Sequence, residues 1–309
     1  MNGGLACVPV TTVPSGSSAD PWPIRPLLAG LVDDASLVQP RMVAPSIDAV
    51  VARYLSARDG AYGGMIGHLV CPVSRLPALV TELARSAPSR PVDLSLVVDT
   101  GLGAVPKALS TVFSRSSLLT PRTVETAAPP DVDAVWLERV SEFVPDEVTP
   151  VVEPRRPLGG TADEIVAWLD AVQRVAEHGC TPKLRCGGPR PSDVPSVAEV
   201  ERFLQVTVGA GRGFTAIGLR EAVRPTPENE NDRGRHGVLN LLLAVARELG
   251  TGGEGTVGDA LRETDGQALV GEAEALSGRT VDTVRGLFTC CGIDPDPMSI
   301  SEFATLGLL

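Results

Sequence analysis

Eight short runs rich in β-branched and apolar residues recur along this 309-residue chain, and longer runs with helical spacing separate them. The strand-like runs are Leu28 to Asp33, Met65 to Val70, Val92 to Asp99, Thr123 to Thr126, Val148 to Glu153, Thr181 to Cys186, Phe214 to Arg220 and Leu287 to Gly292. A strict βα rhythm forces a parallel sheet, because each strand must return to its neighbour through a crossover helix. Eight such units match a closed (β/α)8 TIM-barrel-like fold. An open doubly wound parallel sheet is the alternative.

The helical runs are Ile47 to Ala57, Arg75 to Arg85, Val105 to Phe113, Asp133 to Phe143, Ala162 to His178, Val197 to Val208 and Val238 to Leu249. Two carry explicit start signals: Thr161 and Ser196 each stand three residues before a glutamate, Glu164 and Glu199, the spacing of a capping box. A 43% hydrophobic chain of this length fills one barrel domain, residues 24–309. Residues 1–23, rich in Gly, Ser, Thr and Pro, read as a flexible N-terminal arm. The polar run 224–235 follows the seventh strand and overhangs the barrel mouth as a candidate lid. A further irregular stretch, Gly250 to Gly258, leads into helical segments that delay the eighth strand.

Charge narrows the function. The formal net charge of -11 opposes nonspecific nucleic-acid binding and attachment to an anionic membrane surface. No apolar run is long enough to span a bilayer, the first twenty residues lack the pattern of a signal peptide, and the cytoplasm is the expected compartment. The six cysteines form no C-x-x-C pair, so most read as small buried residues in a reduced protein. Adjacent Cys290 and Cys291 are a weaker candidate for a reactive thiol.

Lys183 and Lys107 are the only lysines, so a lysine inside a strand asks for a chemical explanation. Alternation puts Lys183 and Arg185 on one face and Leu184 and Cys186 on the other, while Gly187 and Gly188 end the strand and allow a ligand to approach. The same count turns Ser95, Val97 and Asp99 toward the lumen, sets Glu125 beside Thr123 and Glu153 beside Val151, and gives His68 the face of Ile66 and Val70. On the seventh strand it puts Thr215, Ile217 and Leu219 outside and Arg220 at the inner end. Strands three to six thereby deliver Asp99, Glu125, Glu153 and Lys183 to one region.

Three readings compete for that polar ring. Asp99, Glu125 and Glu153 bind magnesium or manganese, which stabilises an enolate while Lys183 transfers the proton, a layout similar to enolase-type barrels. Alternatively, a desolvated Lys183 forms a Schiff base with a carbonyl substrate while Glu125 or Glu153 shuttles protons, as the sixth-strand lysine of class I aldolases suggests. In the third reading, Lys183 and Arg185 neutralise the carboxylates in a structural network. Arg185, Arg220 and His236 are candidate clamps for an anionic ligand, with His68, Gly187 and Gly188 beside them. The expectation is a lyase or isomerase acting on a small anionic, carbonyl-containing metabolite. Its rival is a non-catalytic paralogue that binds a metabolite or a protein partner.

Four segments resemble a widespread bacterial family of uncharacterised proteins of about this length. The family's Lys-x-Arg-Thr-Gly-Gly corresponds to Lys183 to Gly188, its Phe-Lys-Ala-Thr-Ala-Gly-Leu-His-His to Gly213 to Glu221, its His-Gly-Phe-Leu-Asn to His236 to Asn240, and its terminal Leu-Gly-Leu-Leu to Leu306 to Leu309. Alignment on Gly218 and Leu219 puts Phe214 where the family has a second lysine, and Arg220 and Glu221 where it has paired histidines. The resemblance implies a divergent member that lacks half of that polar set.

Overall fold

The period-two runs pair in parallel and in chain order, β1 to β8, and β8 closes on β1 to complete the barrel. The computed structural model describes residues 25–38, 45–158, 160–226, 234–293 and 297–309. The expected arm, 1–23, and the centre of the expected lid, 227–233, lie outside them, as does Cys7. The strands are β1 (Val32–Asp34), β2 (Ile66–Pro72), β3 (Val92–Val97), β4 (Leu119–Ala127), β5 (Thr149–Glu153), β6 (Thr181–Arg185), β7 (Phe214–Ile217) and β8 (Phe288–Ile293). Around them run α1 (Ile47–Arg58), α2 (Leu76–Ser86), α3 (Val105–Phe113), α4 (Ala134–Phe143), α5 (Ala162–Glu177), α6 (Val197–Gly209) and α7 (Val238–Glu248). Three further helices, α8 (Val257–Arg262), α9 (Gly266–Ala275) and α10 (Gly278–Leu287), fill the delay before β8, and α11 (Pro297–Thr305) follows it. This is a single (β/α)8 barrel.

Local chemistry sets the element boundaries. Both capping boxes form, with Thr161 Oγ1 accepting from the Glu164 amide and Ser196 Oγ from the Glu199 amide. At the other end of α5, His178 Nδ1 lies 2.8 Å from the Arg174 carbonyl, a helix-end contact. Pro121 lacks an amide hydrogen, and the β3–β4 register shifts beside it, between Leu94 and Ser95. Strand β7 stops at Gly218, whose φ of +87° turns the chain away.

Outside the barrel the strands bury aliphatic side chains against the helices. The scarce aromatics concentrate between β7, β8, α5 and α6: Trp168 stacks on Phe203 at 6.0 Å, Phe203 meets Phe214 edge-on at 5.4 Å, and Phe214 stacks on Phe288 at 5.0 Å. That row corrects the register expected for β7. Phe214 and Ala216 face the helices, which turns Thr215 and Ile217 into the lumen. Among the described residues, no helix is long and apolar enough to cross a membrane.

His236 stands just before α7, almost fully buried. Its Nε2–H donates to the Pro195 carbonyl at 2.8 Å, and its Nδ1 has no partner among the described residues. Burial, with the Arg224 guanidinium nearby, pulls its pKa from 6.5 down to about 4. The unfolded chain therefore binds the extra proton between these values, and stability present above pH 6.5 is lost as the pH falls toward 4. The expected loss is about 3 kcal/mol across that interval. Urea unfolding of the wild type and of His236→Gln at pH 7 and 4.5 checks it: the variant's acid sensitivity should be smaller by about 2 to 3 kcal/mol. Equal sensitivity would refute the assignment.

Candidate functional site

The lumen contains a polar network. Lys183 on β6 and Glu125 on β4 form a buried ion pair. Glu125 Oε1 also accepts from Ser95 Oγ at 2.7 Å, and Ser95 Oγ accepts from Thr123 Oγ1 at 2.6 Å. Burial opposes the lysine charge, but the Glu125 carboxylate more than offsets it, and the Lys183 pKa lies above its ordinary value. The Glu125 pairing thus favours the ammonium form, whereas Schiff-base chemistry at Lys183 needs the free amine. Lys107, by contrast, is exposed on α3.

Beside this pair, Arg185 grips Glu153 with both prongs, Nε to Oε1 at 2.6 Å and Nη2 to Oε2 at 2.9 Å. Both side chains retain substantial exposure, 39% and 22%, so this fork faces the mouth whereas Lys183 lies beneath. A cavity of about 370 Å³ opens there, over the ends of β4, β5 and β6, with Glu153, Arg155, Arg156, Arg185, Arg190 and Asp193 in its wall. Arg156 is buried and bound to Glu199 Oε1 at 2.9 Å and to the Ser192 carbonyl, while Arg190 pairs with Asp193 at 3.1 Å. Arg155 is exposed, and no hydrogen bond or ion pair of its side chain appears among the described residues. Four guanidinium groups against the carboxylates of Glu153, Asp193 and Glu199 leave this wall with a positive balance, carried by Arg155.

The opposite half of the mouth is apolar. Ala35, Val70 and Ile217 form a small buried cluster, joined by Val38 and Val97. Beneath it, Asp33 on β1 accepts the His68 backbone N–H at 2.7 Å and faces His68 Nδ1 at 3.1 Å. Burial lowers the histidine's proton affinity, but the Asp33 carboxylate reverses this, and the His68 pKa is raised. Cys290 on β8 joins them. Burial and the same carboxylate hold its thiol well above the ordinary range, so without an added cation it is a thiol and not a reactive thiolate. The Cys71 and Cys186 thiols are likewise pushed up to about 12 by burial.

Several expected site residues stand elsewhere. Asp99 lies beyond the end of β3, exposed, where it accepts from the Ser74 amide at 3.0 Å and from the Ser74 hydroxyl. Glu125 and Glu153 are each committed to a cation, so the Asp99, Glu125 and Glu153 set for magnesium or manganese is not gathered among the described residues. Arg220 follows the Gly218 turn and is exposed rather than lumenal, and neighbouring Glu221 pairs with Arg235 at 2.9 Å. His236 is buried just before α7, bound to the Pro195 carbonyl that precedes α6. Gly187 and Gly188 serve backbone packing: a Cβ at Gly187 would lie 2.5 Å from the Gly218 carbonyl oxygen, and one at Gly188 2.5 Å from Asp193 Oδ2.

Sequence reasoning missed Arg155 and Arg156, although Pro154-Arg-Arg-Pro157 directly follows the glutamate that ends β5. It also left Asp33 without a role, read Cys290 only as a weaker candidate for a reactive thiol, and turned Thr215 outward through the one-residue slip. No protein-family model matches the chain, and no curated protein matches it.

Proposed function

We propose that this barrel is a small-molecule enzyme of the lyase or isomerase class, acting on an anionic, carbonyl-containing metabolite held at the arginine-lined cavity over β4 to β6. The observation that supports this most is the joint presence of accessible guanidinium groups and the half-buried Glu153 in one cavity wall at the strand ends, where barrel enzymes keep their chemistry. Arg155, with Arg185 and Arg190, binds the anion. Glu153 exchanges its Arg185 contact for the substrate and moves the proton next to the carbonyl. The Lys183 ammonium beneath, paired with Glu125, supplies positive potential where enolate charge develops. On this reading the chain is a divergent member of the family it resembles, with Arg155 and Arg190 supplying charge in place of the missing second lysine and paired histidines.

The neutralised Lys183–Glu125 pair favours the rival reading, a barrel that binds such an anion without turning it over. Deuterium exchange separates the two. Incubating the protein with a panel of 2-oxo acids and phosphorylated ketoses in D2O should give enzyme-dependent loss of one carbon-bound proton signal, at least tenfold slower in Glu153→Gln. Binding seen as a thermal shift with no exchange would transfer the assignment to the non-catalytic reading. Neither binding nor exchange across the panel would sink both.

A further inference from the structure

Across the lumen from the arginine cavity, three adjacent strands bring a carboxylate, an imidazole and a thiol together. Asp33, His68 and Cys290 each offer one ligand atom, and these atoms all lie within 4.8 Å of one another. A tetrahedral ion with bonds of about 2.0 to 2.3 Å sets its ligand atoms roughly 3.3 to 3.7 Å apart, so small side-chain rotations suffice. We propose that these residues form a three-ligand site for a zinc-like divalent transition ion within the barrel lumen, its fourth position turned toward Thr215.

Two observations beyond the cluster support it. Thr215 is almost fully buried, and its hydroxyl has no hydrogen-bond partner among the described residues. It lies on β7, in register with Cys290 on one side and Lys183 on the other, where it can hold a water in the open coordination position. The second is Gly67: a Cβ there would sit 2.4 Å from Asp33 Oδ1, so glycine leaves the carboxylate its room.

The donor set selects the ion. Thiolate and imidazole suit zinc and its neighbours, whereas magnesium and manganese favour a shell of oxygens. On binding, the Cys290 thiol proton and any second proton on the His68 ring leave to solvent as the sulfur–metal and nitrogen–metal bonds form. Asp33, the Cys290 thiolate and a divalent ion then sum to zero charge, beside a Lys183–Glu125 pair that is itself neutral. Water is limited by the Ala35, Val70 and Ile217 cluster above, and His68, with 23% of its side chain exposed, marks the approach.

Cobalt(II) alone is the probe. Full-length protein, freed of metal with a chelator and kept reduced without thiols, should take up one cobalt per chain with tetrahedral visible bands and a thiolate charge-transfer band, both abolished by zinc. Cys290→Ser should lose the charge-transfer band and bind at least tenfold more weakly, and His68→Asn, which removes the imidazole ligand, should weaken binding similarly. Cys291→Ser should keep the band, because that thiol packs in the outer apolar core. Absence of any band in the wild type, or an unchanged band in Cys290→Ser, would overturn the site and leave Asp33 and His68 as a hydrogen-bonded pair. These readouts are independent of ligands at the arginine cavity.

Discussion

Replacing Lys183 with methionine is expected to lower the unfolding free energy by about 3 to 5 kcal/mol, the cost of leaving one member of a buried ion pair without its partner. Methionine keeps most of the side-chain volume, so the loss reports charge and not a cavity. Glu125 is 6% exposed and, among the described residues, retains only the Ser95 hydroxyl, at 2.7 Å, to meet its charge. The double variant Lys183→Met/Glu125→Gln should recover much of the loss, because an amide keeps the Ser95 contact through its carbonyl oxygen and carries no charge. Urea denaturation of the four proteins closes the cycle. A single variant as stable as wild type would show that the lysine is held at a cost to folding, as groups kept for chemistry often are. It would also show that Glu125 is not left stranded.

The pair was half legible in the sequence, and the reason is geometric. Alternation within a strand follows from local backbone geometry, so Glu125 and Lys183 were both assignable to the lumen once their strands were recognised. Which carboxylate meets which cation depends on barrel tilt and stagger, and these are set by all eight strands together. Hence Lys183 reaches past β5 to Glu125, while Arg185, two residues on, takes Glu153. Strand β7 shows where alternation stops being informative. Phe214, Ala216 and Ile217 are apolar on both faces, and only the Phe203 and Phe288 rings that receive Phe214 decide the register. The βα rhythm itself was legible because it switches period eight times. The route by which the chain after Gly218 returns to α7 was not, since it rests on side chains distant in sequence.

Asn240 fastens the described part of that return, and Asn240→Ala is expected to cost about 3 to 5 kcal/mol. The residue lies in the first turn of α7 with no measurable exposure. Its Oδ1 accepts the Arg224 backbone N–H at 2.8 Å, while its Nδ2 donates to the Ala260 and Glu263 carbonyls, each at 2.7 Å. One amide thus joins the chain beyond β7 to the end of α8, using both of its donors. Alanine leaves three backbone groups to find new partners in a site with little room for water: a Cβ at Gly237 would lie 2.3 Å from Asn240 Oδ1. Asn240→Asp is the sharper probe, because it preserves shape and the bond to Arg224 but turns a carboxylate oxygen toward two carbonyls. It should destabilise at least as much as alanine in urea unfolding at pH 7. If aspartate proves nearly neutral while alanine does not, the volume of the side chain is what matters and the hydrogen-bonded clamp is not; if both lie within about 1 kcal/mol of wild type, the α7–α8 junction is held by its apolar packing alone.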